Sequence, residues 1–444
     1  MGKYFGTDGI RGTYGDACIN TEFAYRMGVA LGAMLPKGAR VILGRDTRQS
    51  GPDLCGALAG GLHREGAAVD DLGVVPTPAV AGAVLREAAA MGIAVTASHN
   101  PACDNGIKLF DRKGCKLTPQ EELEIEAAID AVPVPGGALP DAVIHSRDGT
   151  QQYIDGVCGL FAADLLQGLK VVLDSANGAT FRTSPVVFEA LGAEVVLLGA
   201  NPDGSNINLG VGSEHPERLA AAVLEHHADY GIAHDGDGDR LVICDAAGLV
   251  LDGDVLLGIL GLHALECGRL GARTLVATVQ SNLGLDHALK AAGGEIVRTD
   301  VGDRNVASRM RELGATVGGE NSGHIILSDY ASTGDGLLAA LELMRVLRES
   351  GQSLGDWRGR VELFPQATRN LRLEEKLPFE SLTSLQAAQR TVETEFGEAG
   401  RVLIRYSGTE PKLRLLVEGR DPVAVEAAMG ALELAAQADL KVMD

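Results

Sequence analysis

GLKVVLDSANGATFRTSPVVFEALGAEVVLLG, residues 168–199, runs an apolar, β-branched stretch into a polar Gly/Ser/Asn loop, then a helical stretch, a glycine and a second apolar run. The same grammar recurs in GARVILGRDTRQSGPDLCGALAGGLHREGAAVDDLG from Gly38 and in GARTLVATVQSNLGLDHALKAAGGEIVRTDVG from Gly271. Each reads as strand, loop, helix, strand. The apolar runs do not alternate, which suits strands covered on both faces by helices. Three related α/β domains follow, whether by duplication or because such units share one grammar.

Composition sets the borders. The 444 residues exceed what one hydrophobic core can organise, so three or four domains are expected. AVPVPGGALPDA (131–142) reads as a linker, and further breaks fall near AAGLVLDGD (246–254) and LFPQAT (363–368). Beyond the last break the chain alternates apolar and polar residues in VLIRYSGTEPKLRLLVEG and ends on an Ala-rich amphipathic helix. That tail predicts a smaller α+β domain. The division is 1–150, 151–252, 253–365 and 366–444, with mixed sheets in the first three domains.

The formal net charge is −21. Such a surface repels phosphate backbones and anionic lipids, which argues against nucleic-acid and membrane partners. An anionic substrate would need local arginines. Seven cysteines are scattered without a CxxC pair, so free thiols and a cytoplasmic location are expected. No signal peptide is read at MGKYFGTDGIRG, and the apolar run near 255–265 is interrupted by His263 and followed by Glu266.

Four stretches can carry chemistry. In HDGDGDR (234–240), Asp235, Asp237 and Asp239 alternate with glycines. On a straight strand the outer two would lie about 13 Å apart, at about 3.3 Å per residue, too far for one ion. Glycines let the loop curl, and three hard carboxylates then suit Mg²⁺ or Ca²⁺. An EF-hand is excluded, because Arg240 and Ala246 stand where Gly and Glu are required. The plain alternative is an acidic turn, with His234 packed or exposed.

RYSGTEPKLR (405–414) places Ser407, Gly408 and Thr409 between Arg405 and Arg414, a nest suited to a phosphate or else a hairpin turn. In GGENSGH (318–324), Glu320, Ser322 and His324 would share one face of an extended chain and could grip a sugar; the alternative is a polar loop. VTASHNP (95–101) sets Ser98 beside His99 after an apolar run, and Lys108 follows. Neighbours in sequence rarely face one another, so His99 is expected to shape the loop and not to act as a base. The one G-x-S-x-G match, GQSLG (351–355), has no strand before it, so a serine-hydrolase elbow is not indicated. No P-loop signature occurs.

FGTDGIRG (5–12), TASHNP (96–101), DGDGDR (235–240), GENSGH (319–324) and RYSGTEP (405–411) stand in this order. This set resembles the α-D-phosphohexomutases over nearly the whole chain. DSANGAT (174–180) and VGDR (301–304) most resemble the branch that interconverts glucosamine 6-phosphate and glucosamine 1-phosphate; the alternative is a member acting on mannose or glucose phosphates. His234 and QSNLG (280–284) depart slightly from the usual pattern.

The resemblance implies four domains around a central cleft, carrying in turn a phosphoserine, a metal-binding, a sugar-recognition and a phosphate-binding loop. It implies that Ser98 carries a phosphoryl group, passing it through a sugar 1,6-bisphosphate that also serves as activator. Mg²⁺ would be held by Ser98, Asp235, Asp237 and Asp239. Arg11 and Arg240 would position phosphate, while Glu320, Ser322 and His324 would bind sugar. Arg405, Ser407, Gly408, Thr409 and Arg414 would hold the phosphate that is not reacting, with Lys108 and His324 as general acid and base. The implied partners are a phosphosugar and a kinase or bisphosphate that first charges Ser98; a homodimer is compatible with the resemblance. An inactive phosphosugar-binding scaffold and a metal-dependent phosphatase are the competing classes.

Overall fold

The computed structural model describes residues 2–137, 139–140, 144–407 and 410–443. Gly408 and Thr409, and the end of the 131–142 linker, lie outside the described residues. The first sheet contains β1 (Ile10–Thr13), β2 (Arg40–Arg45), β3 (Ala68–Val74), β4 (Met91–Val95), β5 (Asp104–Phe110) and β6 (Ile144–Ser146), in the order β1-β5-β4-β2-β3-β6. The second has β7 (Lys170–Asp174), β8 (Glu194–Leu198), β9 (Tyr230–Ala233) and β10 (Val242–Asp245), ordered β10-β9-β7-β8. The third has β11 (Thr274–Thr278), β12 (Glu295–Thr299), β13 (Val317–Gly319) and β14 (Ile325–Leu327), ordered β12-β11-β13-β14.

The three sheets share one pattern. A first strand pairs in parallel with the second and the third on either side, and the fourth closes antiparallel on the third. The first strands are β2, β7 and β11, the apolar runs of the three repeated segments, and they are buried almost throughout. Helices cover both faces, as parallel pairing requires. The first sheet adds β6 beyond β3 and β1 beyond β5. In every unit the hairpin between third and fourth strand holds a motif: 96–103 the serine loop, 234–241 the acidic loop and 320–324 the GENSGH loop.

The C-terminal unit differs in kind. β15 (Gln366–Leu373), β16 (Gly400–Tyr406), β17 (Lys412–Gly419) and β18 (Val442–Met443) form an antiparallel sheet ordered β16-β17-β15-β18. The helices Thr383–Phe396 and Pro422–Asp439 cover one face and close a separate core around Leu371, Leu415 and Met429. The first three units instead share a continuous apolar core, from Ile42 and Phe110 through Phe188 to Trp357. The apolar run near 255–265 is the buried helix Gly253–Glu266, and no helix among the described residues is long and apolar enough to cross a membrane. Ser353 of the GQSLG match caps a short helix through Asp356, which accounts for its residue types without catalysis.

One joint between units is pH-sensitive. Asp335 caps the helix Gly336–Ser350 by accepting from Leu338 N (3.0 Å) and also from Tyr153 Oη (2.8 Å). Burial pushes its carboxyl up to about 6, against the helix N–H groups and Tyr153. The folded protein therefore binds the proton more tightly than the unfolded chain, and this contribution to stability is lost as pH rises from about 4 through 6. The loss is on the order of 2–3 kcal/mol by pH 8. Asn can still cap the helix and donate to Tyr153, so Asp335→Asn is expected to melt higher than wild type at pH 8. Melting curves should show that gap closing by about pH 4.5.

Candidate active site

Ser98 stands at a left-handed backbone position, φ 53°, a conformation that costs a residue with a Cβ about 1–2 kcal/mol and persists where surroundings enforce it. The surroundings do so here. Ser98 N donates to Thr96 Oγ1 (2.9 Å), whose hydroxyl donates to Asp46 Oδ2 (2.7 Å). Fully buried Arg48 pairs with Asp46 (2.9 Å) and donates to the carbonyls of Ser98 (3.0 Å), Asn100 (2.8 Å), Pro101 and Asp104 (2.8 Å). From the second unit, Asn208 Nδ2 donates to the Ser98 carbonyl (2.8 Å).

The same backbone turn makes Ser98 and His99 converge, with Oγ 3.2 Å from His99 Nδ1, against the expectation that these neighbours would not face each other. Burial, then Arg240 and Arg11, push the His99 imidazole down to about 4, so it sits neutral at pH 7.

The acidic loop meets this serine head-on. Ser98 Oγ donates to Asp235 Oδ2 at 2.5 Å across 137 positions of sequence. The approach depends on glycine: a Cβ on Gly236 would lie 2.5 Å from the Ser98 carbonyl, and Gly238 turns at φ 75°. Asp235, Asp237 and Asp239 each offer an oxygen, all within 4.8 Å of one another and all buried. Burial, then the neighbouring Asp239 and Asp237, push Asp235 up to about 8. Burial and Asp239 work on Asp237 in the same direction, but Lys108 and Thr77 hold it below its ordinary value.

Lys108, on β5, is buried and donates to Asp237 (2.8 Å) and Asp239 (2.9 Å), while Thr77 Oγ1 donates to Asp237 (2.6 Å). Asp237 Oδ1 and Asp239 Oδ1 remain buried without donors. Three clustered carboxylates with two undonated oxygens fit a hard divalent cation.

His324 lies beyond Asp239, Nδ1 to Oδ1 3.6 Å, with Nε2 3.4 Å from Asp303 Oδ2. Burial lowers its imidazole, but Asp239 and Asp303 outweigh it and raise the pKa above the ordinary value. Arg11 donates to Asn100 Oδ1 (3.4 Å) and pairs with Asp8, while its Nε is buried without an acceptor. Arg240 reaches Glu214 (3.1 Å).

Arg11, Ser98, His99, Asp239, Arg240, Glu320 and His324 line one cleft of about 210 Å³ with Thr7, Asp8 and the 301–303 loop. Larger cavities exist elsewhere, but this one holds the convergent charged groups. Residues 320–323 form a turn closed by Gly323 N donating to Glu320 O (3.0 Å), not an extended stretch. Glu320 and His324 therefore face the cleft, while Ser322 is exposed and outside its lining.

Arg405 and Arg414 are cross-strand partners on β16 and β17 and also lie outside that lining. Burial and then Arg414 lower the Arg405 guanidinium, and Arg414 Nε is buried without an acceptor, so the pair is deficient in negative charge. Ser407 is buried, and its carbonyl accepts from Lys376 Nζ (2.6 Å).

Sequence reading missed several groups. Lys116 binds Asp303 (2.5 Å) and Asp8, and Asp8 lies 3.6 Å from Lys108, so three loops close one buried charge network. Asp8 and Asp303 stood inside the quoted FGTDGIRG and VGDR stretches without a role. Lys116, alone between Cys115 and Leu117, gave no signal. Asp46 and Arg48 lie in GRDTR, directly after β2, where a strand-end loop was the available hint. His234 is fully buried against Ser184 Oγ (3.1 Å), a packed histidine as expected.

Residues 2–133, 151–248, 252–364 and 369–433 match, in turn, domains I, II, III and the C-terminal domain of phosphoglucomutase/phosphomannomutase. The phosphoglucosamine mutase of Methylobacillus flagellatus is 46% identical over 438 residues, covering 96% of each chain. That of Paracoccus denitrificans is 44% identical, covering 98% of this chain and 99% of its own. The solved structure of a phosphoglucomutase/phosphomannomutase family protein from Burkholderia thailandensis superposes with a TM-score of 0.82 at 27% identity, covering 98% of both chains. Full-length similarity on this scale, joined to a serine, a three-carboxylate loop, the Glu320–His324 turn and a cationic β16–β17 pair on four successive units, means that the chain belongs to the phosphoglucomutase/phosphomannomutase family, in its phosphoglucosamine mutase branch.

Proposed function

We propose that the chain interconverts glucosamine 6-phosphate and glucosamine 1-phosphate by passing a phosphoryl group through Ser98. The carrying observation is Ser98 Oγ at 2.5 Å from Asp235, beside Asp237 and Asp239. Phosphorylated Ser98 loses its P–Oγ bond as the free sugar hydroxyl forms a new O–P bond, giving the 1,6-bisphosphate. That intermediate turns over and returns its other phosphate to Ser98.

Mg²⁺ held by Asp235, Asp237, Asp239 and the Ser98 phosphate supplies charge stabilisation when bound. Lys108 and His324 exchange the hydroxyl proton; His324 Nε2 makes no hydrogen bond in the described structure, its nearest carboxylate being Asp303 at 3.4 Å. Arg11 and Arg240 draw phosphate toward the metal loop, and Glu320 and Ser322 read the sugar. Arg405, Ser407, Gly408, Thr409 and Arg414 hold the resting phosphate. Ser98 is first charged by a kinase or by a sugar bisphosphate. The division at 150, 252 and 365 follows the same four roles, and seven free cysteines suit a cytoplasmic setting.

Side-by-side assays on glucosamine, mannose and glucose 6-phosphates test this reading. Glucosamine 6-phosphate is expected to give the highest kcat/KM without net release of inorganic phosphate. A poorest rank for glucosamine, or stoichiometric phosphate release, would sink it. The metal is tested separately: Mg²⁺ at about 100 times its Kd should stabilise the protein by about 2.7 kcal/mol, read as a rise in melting temperature that EDTA reverses. Equal melting with and without Mg²⁺ would remove the metal from the proposal.

A further inference from the structure

A second cleft, of about 600 Å³, opens at the carboxyl ends of β2, β3 and β6 and shares no lining residue with the Ser98 cleft. The crevice outside the carboxyl ends of parallel strands is where open α/β sheets hold ligands, and this volume suits a nucleotide-sized molecule. In a chain of net charge −21, three guanidiniums converge there: Arg45, Arg147 and, from the second unit, Arg182. Arg45 is paired with Asp71 (3.2 Å) and Arg147 with Glu87 (2.5 Å), which fixes both side chains.

Arg147 Nε nevertheless stays buried without an acceptor, and Arg182, lying over the Phe181 ring at 5.1 Å, forms no ion pair among the described residues. The one carboxylate lining the cleft, Asp148, is engaged in accepting from Thr150 N (2.9 Å). Guanidiniums bind phosphate through their N–H forks, here exposed Arg182 beside the held Arg45 and Arg147, and the Phe181 ring offers a flat apolar flank for the organic part.

The cleft also touches the serine loop through one segment. Arg45 and Thr47 line it, while the alternate residues Asp46 and Arg48 grip Thr96, Ser98, Asn100, Pro101 and Asp104. The geometry points to a second anion site at the junction of the first two units, taking a small organic phosphate and tightening the serine loop when filled.

Calorimetric titration of the full chain in EDTA with ADP and with pyrophosphate tests the site, using wild type, Arg182→Glu and, as active-site control, Arg11→Ala. Arg182 is exposed, so its replacement should not disturb folding or basal turnover. Wild type and Arg11→Ala should bind at least one probe equally, and Arg182→Glu should bind it at least ~10-fold more weakly. Unchanged binding by Arg182→Glu, loss of binding in Arg11→Ala, or no saturable binding of either probe to wild type would overturn the site. Hydrogen exchange of amides 96–100 should slow with the bound probe in wild type but not in Arg182→Glu. Equal exchange with and without probe would overturn the link to the serine loop.

Discussion

Ser98→Ala should accept no phosphoryl group and should lower turnover by about 10⁴-fold or more, because it removes the atom that carries the transferred group. The loss should be chemical and not structural. Arg48 and Asn208 hold the loop through the Ser98 carbonyl, and Thr96 holds it through the Ser98 N–H, so none of these bonds involves Oγ. Alanine meets the same backbone penalty at φ 53° as serine, and the lost Oγ bond to buried Asp235 should lower stability by about 1–3 kcal/mol, far less than the loss in turnover. Intact-mass spectrometry after incubation with a sugar 1,6-bisphosphate should show one added phosphoryl group on wild type and none on the variant. A phosphate on another residue, or a variant that is charged like wild type, would end the Ser98 mechanism. His99, 3.2 Å from Oγ and neutral, remains in Ser98→Ala, so retained turnover would point to it instead.

Lys108→Met should have the second-largest effect. The ammonium is buried between Asp237 and Asp239, and no side chain replaces its charge there. Removing one partner of a buried ion cluster leaves uncompensated charge and costs about 3–5 kcal/mol. Without added metal the variant should therefore melt well below wild type. A divalent cation restores positive charge at the same carboxylates, so the Mg²⁺-induced rise in melting temperature should be larger in the variant than in wild type. Turnover should still fall by about 10²–10⁴-fold with Mg²⁺ present, the usual range for a lost proton-transfer group. An equal Mg²⁺ response in both proteins would show that Lys108 and the metal do not share these carboxylates. Full activity in the variant would leave His324 as the sole acid and base.

Much of the fold was legible because parallel, doubly covered strands need continuous apolar runs, and VILG, VVLD and LVAT are such runs. The boundary to the C-terminal unit was legible for the complementary reason: an antiparallel sheet with one covered face alternates, as β15 does. The motif loops could be recognised because their chemistry is local. Close approach and left-handed turns demand glycine at Gly236 and Gly238, and three carboxylates in five residues have few other uses.

What escaped was every pairing across units. Nothing in GCKL marks Lys116 as the partner of Asp303, 187 positions on, and nothing in GRDTR marks Arg48 as the clamp on the serine loop. The extended backbone expected around Ser322 does not hold, because the chain turns at 320–323. The approach of His99 to Ser98 was not foreseen because φ at Ser98 cannot be read from residue types.

The amino-acid sequence by itself determined the three repeated α/β units, the odd fourth unit and the loops in which the motifs stand, since these rest on periodicity, glycine placement and short-range spacing. Only the tertiary structure decided which of those residues meet. Equivalent hairpins after β4, β9 and β13 present the serine, the carboxylates and the Glu320–His324 turn, and the packing of the first three units carries Ser98 to Asp235 across 137 residues. That meeting is set by buried contacts between units, whose energy depends on shape and desolvation summed over many side chains and leaves no local mark in the chain.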